Sequence, residues 1–237
     1  MLKIKGLSAA YGEAQVLHEV SLDVKAGEVV ALLGRNGMGK TSLVRTAMGL
    51  AFPQKTAGEI TMGGESLEGL PSYKISQMGI GYVPQGRRLF ASLTVLEHLS
   101  VLDKGSKRST EDAWTIDEVF QAFPRLKERI HHKGNQLSGG ERQMLAIGRS
   151  LMIGPSVLLM DEPTEGLDPV MVELVEDILK KLKQSGLGIL LVEQNLYSAL
   201  AVADRVFIME TGQLVWSGLP SELLNNEETL DKYLGVH

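Results

Sequence analysis

The distribution of apolar residues divides the chain into three stretches. In the first, residues 2–7 and 16–24 alternate between apolar and polar side chains, as half-buried strands do. The run from Glu28 to Leu33 is apolar enough for a fully buried strand, and residues 42–50 have the spacing of a helix. Residues 58–62 predict another strand. We therefore expect a β-rich layer beside one buried strand.

The middle stretch changes to a helical period. It follows a short predicted helix over residues 71–78 and a strand that ends at Pro84. From residue 93 onward the apolar positions recur as they do on helices, and Thr94 and Thr110 are predicted to cap the first two of these helices. We interpret residues 93–150 as a helical subdomain.

The last stretch returns to strands that alternate with helices, which predicts parallel β-α-β units and an α/β fold. The predicted elements are strands over 157–160, 188–192, 206–209 and 213–216, helices over 169–185 and 196–203, and two short terminal helices over 220–225 and 227–234.

A glycine-rich segment carries the first candidate chemistry. Gly34 to Thr41 reads G-R-N-G-M-G-K-T and fits the pattern G-x-x-x-x-G-K-[ST]. In such a loop the backbone N–H groups cradle phosphates, the lysine meets the outer phosphates, and the hydroxyl holds magnesium. The alternative is a glycine-rich turn that contains a lysine by chance. The predicted strand before the loop and the predicted helix after it favour the phosphate-binding interpretation.

Two acids follow a predicted buried strand. Residues 157–160 are apolar and lead directly into Asp161 and Glu162. The carboxyl edge of a parallel sheet is where α/β folds bind ligands, so Asp161 would lie near the magnesium held by Thr41. Glu162 would polarise an attacking water. The alternative is a strand-ending acid that caps the next turn.

A third motif opens a predicted helix. Leu137 to Glu141 reads L-S-G-G-E, and its glycines leave backbone N–H groups uncovered at the positive end of that helix, where an anion could dock. The alternative is an ordinary capping box, in which Ser138 and Glu141 satisfy each other's backbone groups. The sequence of one chain does not separate the two.

Together, the phosphate loop, the L-S-G-G-E segment and the strand ending in Asp161-Glu162 resemble, in this order and spacing, the nucleotide-binding subunits of ABC transporters. The resemblance covers the whole chain and implies a P-loop NTPase cassette with a mainly parallel RecA-like core, an antiparallel β layer and a helical subdomain. It implies one domain over residues 1–237, in which 1–92 and 151–237 form the catalytic core with the β layer.

The resemblance also implies ATP and Mg²⁺ as cofactors and assigns residues to them. ATP would be bound by Tyr11, Gly34, Arg35, Asn36, Gly37, Met38, Gly39, Lys40, Thr41 and Ser42, together with Asp168 of the loop that follows Glu165. The segment Ser138, Gly139 and Gly140 would meet the ATP of an opposing subunit, so that ATP joins a head-to-tail dimer. Mg²⁺ would be held by Thr41, Gln85 and Asp161, and catalysis would rest on Glu162, Lys40, Gln85 and Gln194.

One position departs from the family pattern. The family usually has a γ-phosphate-contacting histidine where this chain has Gln194. A glutamine amide can hydrogen-bond a phosphate but cannot carry positive charge. The segments V-E-Q-N (192–195), V-P-Q-G-R-R-L-F (83–90) and D-E-P-T-E-G-L (161–167) resemble the LivF-type ATPases of branched-chain amino-acid importers. This resemblance implies a second ATPase subunit, identical or different, membrane permease subunits and, indirectly, a periplasmic solute-binding protein as partners.

Composition limits which partners and which cellular location we expect for the chain. The chain has 237 residues, a formal net charge of −5 and no cysteine, so we expect neither nucleic-acid binding nor disulfides. Its apolar runs are too short to cross a bilayer, and we expect a cytoplasmic protein at the inner face of the cell membrane. Three alternatives stay open: an ATPase for urea, amides or other amino acids, a catalytically weak regulatory partner, and a nucleotide switch outside transport.

Overall fold

The computed structural model describes residues 1–103 and 113–235, which form strands and helices in the alternation that the sequence predicts. The strands are β1 (Leu2–Tyr11), β2 (Ala14–Val24), β3 (Val29–Leu33), β4 (Gln54–Met62), β5 (Glu65–Ser66), β6 (Ile80–Val83), β7 (Val157–Asp161), β8 (Gly188–Glu193), β9 (Arg205–Glu210) and β10 (Gln213–Gly218). The helices are α1 (Lys40–Ala47), α2 (Ser72–Gln77), α3 (Val95–Asp103), α4 (Ile116–Ala122), α5 (Pro124–Glu128), α6 (Gly139–Leu151), α7 (Pro169–Gln184), α8 (Leu196–Leu200), α9 (Pro220–Leu224) and α10 (Glu227–Thr229). The chain continues from α10 into a π-helical turn over Leu230–Leu234.

The first sheet is antiparallel, with the strand order β2-β1-β4-β5. Alternate side chains of β1 and β2 are buried, among them Leu2, Ile4 and Leu22, and they pack in one core with Leu43 and Val44 of α1. The alternation of apolar and polar residues in this part of the sequence therefore reflects a sheet with one face against the core and one toward solvent.

The second sheet has the order β10-β9-β3-β8-β7-β6, and its strands are parallel except for β10. Every residue of β3, β7 and β8 is buried, as expected for strands covered on both faces. The carboxyl ends of the parallel strands share one edge of the sheet. That edge brings together Gly34 after β3, Gln85 after β6, Asp161 at the end of β7 and Glu193 at the end of β8.

Helices α3 to α6 confirm the helical character of the middle stretch. They pack on one another and share a core with the sheet, for example through Leu145 and Leu158. Thr94 caps α3 as predicted, since its hydroxyl accepts a hydrogen bond from the Glu97 N–H at 3.2 Å. The α/β class, with a mainly parallel sheet, an antiparallel layer and a group of helices, is thus confirmed, whereas the subdomain limits at 93 and 150 stay a prediction.

One helix begins later than the sequence predicts. The predicted cap Thr110 lies outside the described residues, but residues 113–115 are not helical and α4 starts at Ile116. Thr115 caps this helix in a capping box with Glu118, whose carboxylate accepts from the Thr115 N–H at 2.7 Å. The stretch therefore contains a Thr-x-x-Glu signal five residues after Thr110, and that signal defines the start of the helix.

Other boundaries shift by a few residues. Strand β1 extends to Tyr11, and β4 begins at Gln54 because it pairs with β1 as far as the partners Ala10 and Gln54. Helix α8 ends at Leu200, three residues before the predicted end. Within residues 1–103 and 113–235, no helix combines the length and the apolar character needed to span a bilayer.

Gly58 in β4 offers a test of how β1 and β4 pack. A Cβ at this position would lie 2.4 Å from the Gly6 carbonyl oxygen, and the backbone has φ +88°. Gly64 has a similar φ of +93°, but a Cβ there would have no atom within 4 Å among the described residues. We expect Gly58→Ala to lower the free energy of unfolding by about 2–4 kcal/mol, from backbone strain and a forced shift of β1.

Gly64→Ala is the matched control, because it adds the backbone strain without the clash, and we expect it to cost about 1 kcal/mol. Urea unfolding of the two variants beside the wild type measures both effects. Equal losses in the two variants would contradict the close approach of the Gly6 carbonyl.

Candidate nucleotide-binding site

The phosphate loop connects β3 to α1 and needs glycine at two positions. A Cβ at Gly34 would lie 2.4 Å from the Met209 carbonyl oxygen, and Gly39 adopts φ 101° immediately before α1. Among the described residues no side chain caps α1, so the first N–H groups of the helix remain available to an anion. The strand, loop and helix that the motif requires are therefore present.

Lys40 is buried under this loop. Its ammonium donates hydrogen bonds to the carbonyl oxygens of Gly34 at 2.6 Å and Arg35 at 3.1 Å, and it lies 3.6 Å from the Glu162 carboxylate. Burial lowers the pKa of Lys40, and the negative charge of Glu162 opposes this. The loop carbonyls thus hold the cation at the floor of the site.

Thr41 and Asp161 meet beside the lysine, as predicted. The Thr41 hydroxyl donates to Asp161 Oδ1 at 3.0 Å. Asp161 is only 1% exposed, and its Oδ2 has no hydrogen-bond partner within residues 1–103 and 113–235. Burial raises the pKa of Asp161 to about 6, and the hydrogen bond from Thr41 opposes this rise.

These oxygens fit a magnesium ion. Mg²⁺ prefers oxygen ligands and usually takes one or two carboxylates together with substrate phosphates and waters. A hydroxyl and a buried carboxylate oxygen without a partner supply that donor set, with the Gln85 amide close by. The described ranges hold no cluster of three or more His, Cys, Asp or Glu side chains that would form a metal site without a nucleotide.

Glu162 follows Asp161 with a left-handed backbone, φ 49°. Its carboxylate accepts a hydrogen bond from Gln85 Nε2 at 2.9 Å, and the same amide donates to Glu165 at 3.1 Å. Arg87 donates to the Glu165 carbonyl oxygen at 2.9 Å. The loop after β6 and the loop after β7 are therefore tied together around Glu162.

A cavity of about 520 Å³ lies over the phosphate loop. Its wall includes ten predicted site residues, namely Tyr11, Asn36, Gly37, Met38, Gly39, Lys40, Thr41, Ser42, Gln85 and Glu162. Tyr11 is 42% exposed at the mouth, where a base could stack on its ring.

Five residues of the cavity wall were missed by the sequence analysis: Gln15, Val16, His18, Thr211 and Gly212. They come from β2 and from the β9–β10 turn. The Gly212 N–H donates to the Met38 carbonyl and the Gly212 carbonyl accepts from the His18 N–H, each at 2.9 Å, so the turn lies against the loop. The turn itself is predicted from Thr-Gly, but nothing in the local sequence indicates where it packs.

Of the predicted site residues that do not line the cavity, Gly34, Arg35 and Asp161 are hydrogen-bonded to Lys40 or Thr41, which do. The others form three groups farther along the chain. Ser138 is exposed at the start of α6, and Gly139 and Gly140 follow it in that helix. Asp168 caps α7 by accepting from the Met171 N–H at 3.1 Å. Gln194 is exposed beyond the end of β8.

The capping-box alternative for Ser138 is present in the structure. The Ser138 hydroxyl accepts from the Glu141 N–H at 3.2 Å, and the Ser138 N–H donates to the Glu141 carboxylate at 2.8 Å. The side chain of Ser138 nevertheless remains exposed, so the cap leaves it accessible to another molecule.

The chain is similar to known proteins over most of its length. The family model described as ABC transporter matches residues 17–165. The branched-chain amino acid transport ATP-binding protein BraG of Pseudomonas aeruginosa is 44% identical over 99% of this chain and 100% of the relative. The probable branched-chain amino acid transport ATP-binding protein LivF of Archaeoglobus fulgidus is 36% identical, covering 100% of this chain and 99% of the relative.

The chain is also similar to a protein of another transport system and to a solved cassette. The lipopolysaccharide export system ATP-binding protein LptB of Escherichia coli K12 is 36% identical over 99% of this chain and 97% of the relative. An ATP-binding cassette solved as a dimer in a post-hydrolysis state, bound to ADP and Pi, superimposes with a TM-score of 0.80 at 26% identity, covering 93% of this chain and 99% of that one.

Asp161 gives the site a pH dependence that can be tested without nucleotide. Its pKa is about 6 in the folded chain against an ordinary value of 3.8, so the folded state binds the proton more tightly. The stability of the folded state therefore falls as pH rises from about 4 to about 6 and stays reduced above that range. We expect Asp161→Asn to raise the free energy of unfolding at pH 8 by on the order of 1–3 kcal/mol.

Urea unfolding in EDTA at pH 8 and at pH 4.5 measures the difference in the free energy of unfolding between Asp161→Asn and the wild type. This difference should be smaller at pH 4.5. Thr41→Val is the control. It removes the hydroxyl that opposes the rise in the pKa of Asp161, and it leaves the buried carboxylate in place. If Asp161→Asn gained the same free energy of unfolding at both pH values, the raised pKa of Asp161 would be contradicted.

Proposed function

Because the chain belongs to the ABC transporter family, we propose that this ABC-type ATPase is the ATP-binding and ATP-hydrolysing subunit of an importer of branched-chain amino acids. The observation that carries the proposal is the constellation of Lys40, Thr41, Asp161, Glu162 and Gln85 at one edge of the sheet. The choice of solute is supported by the 44% identity to BraG.

ATP binding follows from the phosphate loop and the cavity above it. The uncapped N–H groups of α1 and the ammonium of Lys40 provide positive charge where the β- and γ-phosphates lie. The Lys40 ammonium exchanges the carbonyl oxygens of Gly34 and Arg35 for phosphate oxygens, while the Tyr11 ring stacks on the adenine. Thr41, Asp161 and Gln85 would hold Mg²⁺, which would neutralise phosphate charge when bound.

Hydrolysis rests on Glu162. Its carboxylate orients a water molecule and accepts a proton from it as the water oxygen forms a bond to the γ-phosphorus and the bond to the β-γ bridging oxygen breaks. The Gln85 amide and the left-handed backbone of Glu162 fix this carboxylate beside Lys40. The ammonium and the loop amides stabilise the charge that develops on the transferring group.

Assembly is supported by the position of the L-S-G-G-E segment. Ser138 is exposed and lies outside the cavity of its own chain, so it is available to the ATP of a second cassette. In this arrangement Gly139, Gly140 and Asp168 also face the partner's nucleotide. The cassette pair works at the inner face of the cell membrane on permease subunits, which receive the solute from a binding protein.

Lipopolysaccharide export is the second candidate, because LptB is as similar to this chain as the LivF relative is, at 36% identity. Uptake assays in the native cell separate the two functions. We expect deletion of the gene to reduce uptake of labelled leucine, isoleucine and valine, and the wild-type gene to restore it. Normal uptake together with loss of lipopolysaccharide from the cell surface would favour export instead.

Substitution of the catalytic carboxylate tests the hydrolysis step. We expect Glu162→Gln to reduce ATP turnover by at least about a hundredfold, because an amide cannot accept the proton of water. Binding of ATP, measured by equilibrium dialysis, should persist because the phosphate loop is unchanged.

Glu165→Gln is the matched control, since Glu165 shares the Gln85 amide but is exposed. It should retain turnover within about threefold. Equal losses in the two variants, or unchanged turnover in Glu162→Gln, would remove Glu162 from its proposed role.

A further inference from the structure

A buried carboxylate lies next to the site but takes no part in the steps above. Glu193 ends β8 and is only 2% exposed. One of its oxygens accepts two hydrogen bonds from Thr164, from the N–H at 3.1 Å and from the hydroxyl at 2.7 Å. The other oxygen accepts from the Gln194 N–H at 3.2 Å. A single side chain therefore connects two loops.

Each of the two loops carries a group proposed to act on the γ-phosphate. Thr164 belongs to the turn after β7, two residues beyond Glu162, and Gln194 directly follows β8. The strands themselves fix the start of the turn, since Asp161 pairs with Val192 and the Glu162 N–H donates to the Val192 carbonyl at 2.9 Å. The strand pairing ends at that point, and Glu193 connects the two segments beyond it.

The backbone of this turn needs such a restraint. Glu162 has φ 49°, in the left-handed region that residues with side chains rarely adopt. A conformation of this kind costs on the order of 1–3 kcal/mol and persists where its surroundings hold it. The two hydrogen bonds from Thr164 to Glu193 hold the backbone two residues beyond the strained Glu162.

Fold stability alone is a poor explanation for a carboxylate at this place. Burial raises the pKa of Glu193, and the hydrogen bonds from Thr164 oppose this rise, so the ionised group is costly there. Burying an ionised carboxylate costs free energy, and a raised pKa means that its hydrogen bonds offset this cost only in part. The carboxylate is better explained by its two separate oxygens, which can accept hydrogen bonds from two loops at once.

We propose that Glu193 is a positioning residue for ATP hydrolysis, which holds Glu162 and Gln194 at a fixed separation on either side of the γ-phosphate by binding Thr164 with one oxygen and the Gln194 N–H with the other. It does not touch the nucleotide. The inference rests on the proposed catalytic role of Glu162.

Two substitutions break opposite halves of this connection. In Glu193→Gln the remaining carbonyl oxygen can still serve Thr164, but the amide group would face the Gln194 N–H, donor against donor. Thr164→Val removes the hydroxyl donor and keeps the shape of the side chain, while Thr164→Ser keeps the hydroxyl and is the conservative control. All four proteins, including the Glu193→Gln/Thr164→Val double variant, are made as the full chain.

We expect each single variant to lower kcat for ATP by at least about tenfold, as misplacement of a reacting group does, with KM changed by less than about threefold. The kcat of the double variant should be no lower than that of the less active single variant, because either substitution breaks the same connection. The control variant Thr164→Ser keeps the hydroxyl donor and should have a kcat within about twofold of the wild-type value. Thermal unfolding should show Glu193→Gln still folded at the assay temperature, because removal of a costly buried charge offsets the lost hydrogen bond to Gln194, and this separates positioning from stability.

Three results would overturn the proposal: unchanged kcat in both single variants, losses in kcat that simply add in the double variant, or a kcat that falls only in proportion to lost folded protein. These failures differ from failure of the proposed function. If Glu162→Gln keeps its turnover, the role of Glu162 is wrong, whereas unchanged kcat in the Glu193 and Thr164 variants with an inactive Glu162→Gln rejects this inference alone.

Discussion

The pairing of β3, β7 and β8 determines the geometry of the whole site. These strands are buried along their full length and hydrogen-bonded in parallel, so their carboxyl ends lie at one edge of the sheet. Each strand delivers a different group there: the phosphate loop after β3, two successive carboxylates at the end of β7, and Glu193 with Gln194 at the end of β8. No single loop could hold these groups in place, whereas a close-packed sheet can.

The cost of this arrangement is electrostatic. Asp161, Glu162 and Glu193 bring three buried carboxylates to the edge, and Lys40 brings a buried ammonium. Burial raises the pKa of Asp161 and of Glu193 and lowers that of Lys40, so the protein holds each charge against the preference of its surroundings. A site of this kind sacrifices folding stability for charges that its ligands would compensate, since phosphates would neutralise the Lys40 ammonium and Mg²⁺ would neutralise the Asp161 carboxylate.

The sequence predicted the parts of the site that depend on local pattern. The phosphate loop, Asp161 and Glu162 stand directly after buried apolar runs, so their place at the sheet edge followed from the strand assignment alone. The α/β class and nearly every helix and strand followed from the same periodicity. The start of α4 was predicted too early because Thr110 was chosen as its cap, whereas the capping box is formed by Thr115 and Glu118.

What the sequence could not provide were contacts between residues far apart in the chain. Gly212 reaches the phosphate loop, Glu165 shares the Gln85 amide, and Thr164 binds Glu193, and each pair joins separate segments. Glu193 looks like the last residue of an apolar strand, and its burial becomes apparent only when β7 lies beside β8. Periodicity reveals which face of an element is buried but not which distant side chain meets it.

Ser138 shows how one hydroxyl group can serve two molecules. Its oxygen accepts the Glu141 N–H, and no acceptor for its own proton lies among the residues that the structure describes. The cap thereby preorganises the hydroxyl, so that it can donate outward without losing rotational freedom at the moment of contact. In the proposed assembly, a change at this one position would alter two properties that proteins usually vary independently, the folding of a single chain and its affinity for a neighbour.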